Sequence, residues 1–206
     1  IIFCPPNTLI RPMSKRLKET KIDVGAQNCH EDEDYGAHTG HVNSKMLKNV
    51  GAKYIILGHS ENRVDGDDDK LINLKIKSAQ KAGLKIIFCI GETLQEKKEN
   101  KTYKVLENQI KKGLNSISNK SNLIIAYEPV WSIGTGLIPK KEDLIKTISF
   151  IKSKFFNKYQ KILYGGSVNN SNVSDLKTIN IIDGFLIGGA SRDTKKFIDI
   201  IKKTYN

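Results

Sequence analysis

The stretch Leu123–Gly136 reads LIIAYEPVWSIGTG. Its first five residues carry no charge, the composition of a strand buried on both faces. The chain then passes at once to Glu128 and Pro129. A carboxylate at the mouth of a barrel, between apolar walls, can have its pKa raised and act as a base near neutral pH. Pro129, Val130 and Trp131 stiffen one hinge of the following loop. After Ile133, the residues Gly134, Thr135 and Gly136 form a tip whose bare N–H groups can approach a phosphate. A surface Glu in an ordinary loop is the plainer reading, but the string from Ala126 to Gly136 is highly specific in this context.

Six other short apolar runs recur along the chain: Ile1–Cys4, Ile22–Ala26, Tyr54–Leu57, Lys85–Cys89, Ile162–Tyr164 and Asp183–Ile187. Amphipathic stretches lie between them. The expected helices are Met13–Glu19 after Pro12, Lys45–Val50 capped by Ser44, Asp68–Ala82, one long helix over Thr93–Ile117, Lys141–Phe156, Ser171–Lys177 and Asp193–Tyr205. Strict alternation of strand and helix implies right-handed crossovers and a parallel sheet. An open doubly wound sheet and a (β/α) barrel both fit that alternation. The polar, Gly-rich motifs nearly all sit just after a strand, where a barrel carries its active site. No linker or repeat divides residues 1–206, so one barrel domain is expected.

Three more motifs carry chemistry. In Tyr54–Arg63 (YIILGHSENR), His59 stands at a strand end beside Ser60 and Glu61. A lone His is usually structural, but that position favours catalysis. In Lys161–Val168 (KILYGGSV), Gly165 and Gly166 permit close backbone approach and Ser167 adds donors. In Gly184–Ser191 (GFLIGGAS), Gly188 and Gly189 precede a helix whose N-terminus favours an anion. Barrel phosphate sites lie after the last two strands, which is where these two motifs fall. The residues by themselves describe a barrel that binds a small phosphorylated compound, with a carboxylate base and an imidazole suited to proton abstraction beside a carbonyl.

Charge points less sharply. The 206 residues hold 34 Lys plus Arg against 22 Asp plus Glu, a net +12. Such an excess suits nucleic acid or an anionic substrate. Only four of these cations are Arg (Arg11, Arg16, Arg63, Arg192), and the Lys are dispersed over many helices. Nucleic-acid surfaces instead cluster Arg and aromatic residues, so no nucleic-acid partner is expected. No apolar run approaches the roughly 20 residues that span a bilayer, and no signal-peptide pattern is present. The single cysteines Cys4, Cys29 and Cys89 suit neither a disulfide framework nor a zinc site, and fit a reducing cytoplasm.

Taken together, these motifs resemble the triosephosphate isomerase family. Shorter matches extend the likeness over nearly the whole chain: IFCPP at Ile2–Pro6, GAQN at Gly25–Asn28, GAHTG at Gly36–Gly40 and CIGE at Cys89–Glu92. The resemblance implies a TIM barrel and interconversion of dihydroxyacetone phosphate and glyceraldehyde 3-phosphate through an enediolate. It gives Glu128 the role of base, His59 that of electrophile and Glu61 a supporting one; the family is itself a standard example of such pKa tuning. It gives Gly134, Ser167, Gly188 and Gly189 the substrate phosphate. It makes Pro129, Val130, Trp131, Ile133, Thr135 and Gly136 part of a closing lid, with Ser132 where the family often has Ala. No metal and no organic cofactor are implied. The implied partners are a small phosphorylated triose and further copies of the chain.

Departures from the family pattern set further expectations. The match begins inside what resembles the second strand, and no Asn-x-Lys segment precedes it. The expected fold is therefore an incomplete barrel of seven βα units, lacking the first, which in the family carries an active-site Lys. The loop Cys29–Val42 resembles an arm that reaches into a neighbouring subunit, with Thr39 against Glu61 of the partner subunit. His41 and Asn62 stand where the family commonly has an acidic and a basic residue, which implies a non-standard dimer. At the lid's far hinge, Leu137, Ile138 and Pro139 replace the usual Lys-x-Ala. Two other readings remain: a non-catalytic phosphate-binding relic or fragment of that family, and a basic nucleic-acid-binding protein.

Overall fold

A computed structural model describes residues 1–155 and 160–205. The chain falls into two compact units, Ile1–Cys89 with Gln109–Ile124, and Ile90–Asn108 with Ile125–Asn206.

The first unit holds β1 (Ile2–Phe3), β2 (Asp23–Ala26), β3 (Tyr54–Leu57) and all but the last residue of β4 (Lys85–Ile90), parallel and in sequence order. Parallel neighbours need crossovers, supplied here by α1 (Asn7–Arg16), α2 (Ser44–Asn49), α3 (Ser60–Val64) and α4 (Asp69–Lys81). Ile55, Leu57, Ile86 and Phe88 of the strands and Ile72 and Ile76 of α4 are fully buried. Ile72 and Ile76 stand four apart, on one face of the helix. The continuous apolar runs are thus strands covered on both faces.

The second unit holds most of β5 (Leu123–Tyr127), then β6 (Ile162–Tyr164) and β7 (Gly184–Phe185), again parallel and in order, with Tyr127 opposite Tyr164 and Tyr164 opposite Phe185. Its helices are α5 (Leu94–Lys98), the start of α6 (Thr102–Gly113), α7 (Lys141–Phe155), α8 (Val173–Lys177) and α9 (Thr194–Tyr205). Phe156, the expected end of α7, lies outside the described residues. Among the described residues there are thus the seven strands expected, and no helix is long and apolar enough to cross a membrane.

Three expected helices are corrected. α1 begins at Asn7, with Pro12 inside it rather than ahead of it. The ring removes one hydrogen bond, but Ile10 on the same helix is fully buried, and that burial holds the first turns. The cap of α2 is Asn43, whose side chain accepts from Met46 N at 2.9 Å. Ser44 is instead the first helical residue, buried, with its hydroxyl 2.7 Å from Ser78 Oγ. The single helix expected over Thr93–Ile117 is two. Thr93 and Glu96 form a capping box at the start of α5, and Asn100 ends it with φ 55°. Lys101 N bonds Glu96 O at 2.9 Å and Asn100 N bonds Lys97 O at 3.0 Å. That pair is a Schellman stop, with Asn in the left-handed position usually held by Gly.

Candidate active site

Glu128 follows directly on β5 and is 3% exposed. Its amide N–H donates to Ile90 O at 2.8 Å, and Gly165 N donates to Tyr127 O at 2.9 Å. These bonds fix the strand end, so the carboxylate side chain leaves the sheet at a set place beside Gly165.

A second carboxylate stands nearby that sequence reasoning matched but gave no role. Glu92 ends the CIGE motif and is 2% exposed. Tyr127 donates its hydroxyl to Glu92 Oε2 at 3.1 Å, and Trp131 Nε1 donates to Oε1 at 3.0 Å. Val130 N also donates to Glu92 O at 3.0 Å. Lys97 Nζ lies 3.6 Å from the centre of the Trp131 ring, a cation–π contact. Burial pushes the Glu92 carboxyl above its ordinary range, against the hydrogen bonds from Trp131 and Tyr127 and the charge of Lys97. The signal was available: Glu92, like Glu128, is an acid placed at the end of a continuous apolar run.

The loop after Glu128 opens with a 3-10 turn over Val130–Ser132 and passes through two left-handed glycines, Gly134 (φ 68°) and Gly136 (φ 79°). Gly136 N donates to Ser167 Oγ at 3.0 Å, and Ser167 Oγ donates to Ser132 O at 2.6 Å. The loop is therefore held against the segment after β6. Ser167 N makes a longer contact, 3.3 Å, with Ser132 Oγ. Gly134, Thr135 and Gly136 are exposed, as are Gly188 and Gly189 beyond β7, where a 3-10 turn begins at Gly189.

In the first unit, His59 caps α3. Its Nδ1 accepts from Glu61 N at 3.3 Å, so a neutral ring carries its proton on Nε2. Burial lowers the His59 pKa, with the negative charge of Glu61 opposing. The Glu61 side chain is itself exposed. Arg63 braces the strand end below, donating to Gly58 O at 2.8 Å and to Asp69 Oδ1 at 2.7 Å. Asn62 accepts from Asp67 N at 2.9 Å through its carbonyl.

Thr39 and His41 are exposed on the loop expected to act as an arm. Here His30 stacks near His38 and His41, with ring centroids 4.4 and 4.6 Å apart. Among the described residues, His30, Asp32 and His38 are spaced as metal ligands can be. However, His30 Nδ1 accepts from Asp32 N at 3.2 Å, and His38 Nε2 lies 2.6 Å from Asp32 Oδ2. These atoms satisfy one another, and we assign no metal to them.

The chain matches the model of a family described as triosephosphate isomerase over residues 1–204. It is 41% identical to a triosephosphate isomerase of Bradyrhizobium diazoefficiens, over 98% of this chain and 83% of that one. It is 43% identical to one of Carboxydothermus hydrogenoformans, over 98% and 84%. The crystal structure of triosephosphate isomerase from Bartonella henselae superposes with a TM-score of 0.89 at 37% identity, covering all of this chain and 86% of that one. The fold is accordingly the α/β TIM fold, and the chain belongs to the triosephosphate isomerase family.

Proposed function

We propose that this chain interconverts dihydroxyacetone phosphate and glyceraldehyde 3-phosphate by moving a proton between adjacent carbons through an enediolate. The observation that carries this reading is Glu128, a carboxylate 3% exposed at the end of a parallel strand. Burial disfavours a charged carboxylate and so suits it to taking up a proton. His59 is the electrophile: its lowered pKa keeps it neutral, and with Nδ1 accepting from Glu61 N its proton sits on Nε2, the tautomer that polarises a carbonyl oxygen. Glu61 supports it, since its amide fixes Nδ1.

Backbone N–H groups of Gly134, Ser167, Gly188 and Gly189 take the substrate phosphate, with the long Ser167 N contact shared between Ser132 and the ligand. Pro129, Val130, Trp131, Ile133, Thr135 and Gly136 form a lid that excludes water and protects the enediolate. The scheme calls on no metal or organic cofactor. The same reading makes the cytoplasmic protein a homo-oligomer through Cys29–Val42, with Thr39, His41 and Asn62 at the contact.

A coupled isomerase assay on the purified chain tests the reaction, with Glu128→Asp as control. Turnover that falls in the control supports the reading. Binding of inorganic phosphate without any isomerisation by well-folded protein refutes it.

A further inference from the structure

Ser132 is fully buried, and its one hydroxyl has three partners: Leu137 O at 2.5 Å, Tyr164 Oη at 3.1 Å and Ser167 N at 3.3 Å. Valence fixes their directions. A carbonyl only accepts, so Ser132 gives its proton to Leu137 O. An amide N–H only donates, so Ser167 N takes one lone pair. The remaining lone pair faces Tyr164, which therefore donates. The hydroxyl is thus fully used.

Its partners lie on two pieces of chain. Leu137 belongs to the far end of the same loop, Tyr164 ends β6, and Ser167 follows it. Ser132 therefore ties the two ends of residues 132–137 to each other and both to the segment 164–167. Past Leu137, Pro139 has no N–H and cannot donate an anchoring bond at that end. A Cβ at Gly166 would stand 2.2 Å from Tyr164 Oη and 2.7 Å from Ser132 Oγ, so Gly166 leaves the space in which the two meet. An Ala at 132, as the family often carries, has no atom for any of these three bonds.

We propose that Ser132 is a positioning residue: its hydroxyl holds the loop 129–137 docked against residues 164–167 and sets the rate at which that loop lets go. The consequence for turnover rests on the isomerase reading above; the docking itself does not. Docking keeps Trp131 on Glu92 and Gly136 on Ser167, the bonds that give the loop its place.

Trp131 is the chain's only tryptophan, so fluorescence after a temperature jump reports on this loop alone. The full chain is measured without ligand and with inorganic phosphate. Ser132→Ala is expected to relax about tenfold faster, the worth of roughly one net hydrogen bond. Tyr164→Phe, which keeps the Ser132–Leu137 bond, accelerates it less. The double variant adds almost nothing to Ser132→Ala, because both remove the same bond. In the isomerase assay Ser132→Ala raises KM about tenfold and leaves kcat within a few-fold. Relaxation at the parent rate in Ser132→Ala, or full additivity in the double variant, overturns the proposal. Should Ser132→Ala not fold, Tyr164→Phe alone decides: faster relaxation supports the proposal and an unchanged rate overturns it. A parent chain without turnover sinks the isomerase reading, while the fluorescence still decides the role of Ser132.

Discussion

Gly165 lies directly against Glu128: a methyl group built at residue 165 comes within 2.7 Å of Glu128 Cγ and 3.0 Å of Oε1. The clash is with a side chain, which can swing away, and not with the strand. Gly165→Ala is therefore expected to fold and to misplace the carboxylate. A displacement near 1 Å at a reacting group costs on the order of a hundredfold in rate. Steady-state kinetics beside a thermal melt check it. Full activity in a folded variant would separate Glu128 from the chemistry.

Glu92 supplies a pH dependence of stability. Its carboxyl is raised above the ordinary 4.5, chiefly by burial. As pH climbs from 4.5, the unfolded chain loses this proton before the folded one does, so stability falls with rising pH through that window. Glu92→Gln has no proton to lose and flattens this fall. Urea midpoints measured from pH 4.5 to neutrality, parent against variant, give the difference. Identical slopes would mean that the buried carboxylate is as well solvated as a free one. Glu92→Ala is expected to cost about 1–3 kcal/mol, because Trp131 Nε1 loses its acceptor, while the Tyr127 hydroxyl keeps its contact with Thr147.

Much of this was legible in the residues, for reasons that can be stated. Continuous apolar runs mark strands covered on both faces, so Tyr54–Leu57, Leu123–Tyr127 and Ile162–Tyr164 were placed to the residue. Asp68 was readable as a helix start and accepts from Leu71 N at 2.7 Å. Where burial opposes local preference, the local signal misleads: Pro12 sits inside α1 because Ile10 is buried. Asn100 was missed because charge periodicity runs straight through it, while its left-handed backbone is a single-residue event. Glu128 and His59 each stand out in the residues as following a strand. The Ser132 hydroxyl did not, since its partners lie 5, 32 and 35 residues away and no local pattern joins them.

His59 is expected to titrate below its ordinary 6.5, because burial penalises the imidazolium more than Glu61 favours it. Between the folded value and 6.5 the unfolded chain binds the proton and the folded chain does not, so stability drops as pH falls through that window. The midpoint of the His59 ring resonances by NMR is the direct measurement, assigned by a His59→Gln variant. A midpoint at or above 6.5 would contradict the neutral electrophile.

Asn100 holds φ 55° where α5 stops. Asn100→Ala is expected to lose about 1 kcal/mol, since a Cβ without a local hydrogen bond pays the left-handed penalty. Asn100→Gly relieves it and should match or exceed the parent. Thermal melts of the three proteins rank them; an Ala variant as stable as the Gly one would contradict the Schellman stop as the cause of the break.

The carboxylate of Glu128 is the centre of the proposed chemistry, and one substitution reaches it most directly. Glu128→Gln keeps the shape and removes the base. Isomerase turnover of the parent chain is expected, and in Glu128→Gln it should fall by roughly 10²–10⁴ with the melting temperature held. Equal turnover in the two proteins would show that the proton moves by another route.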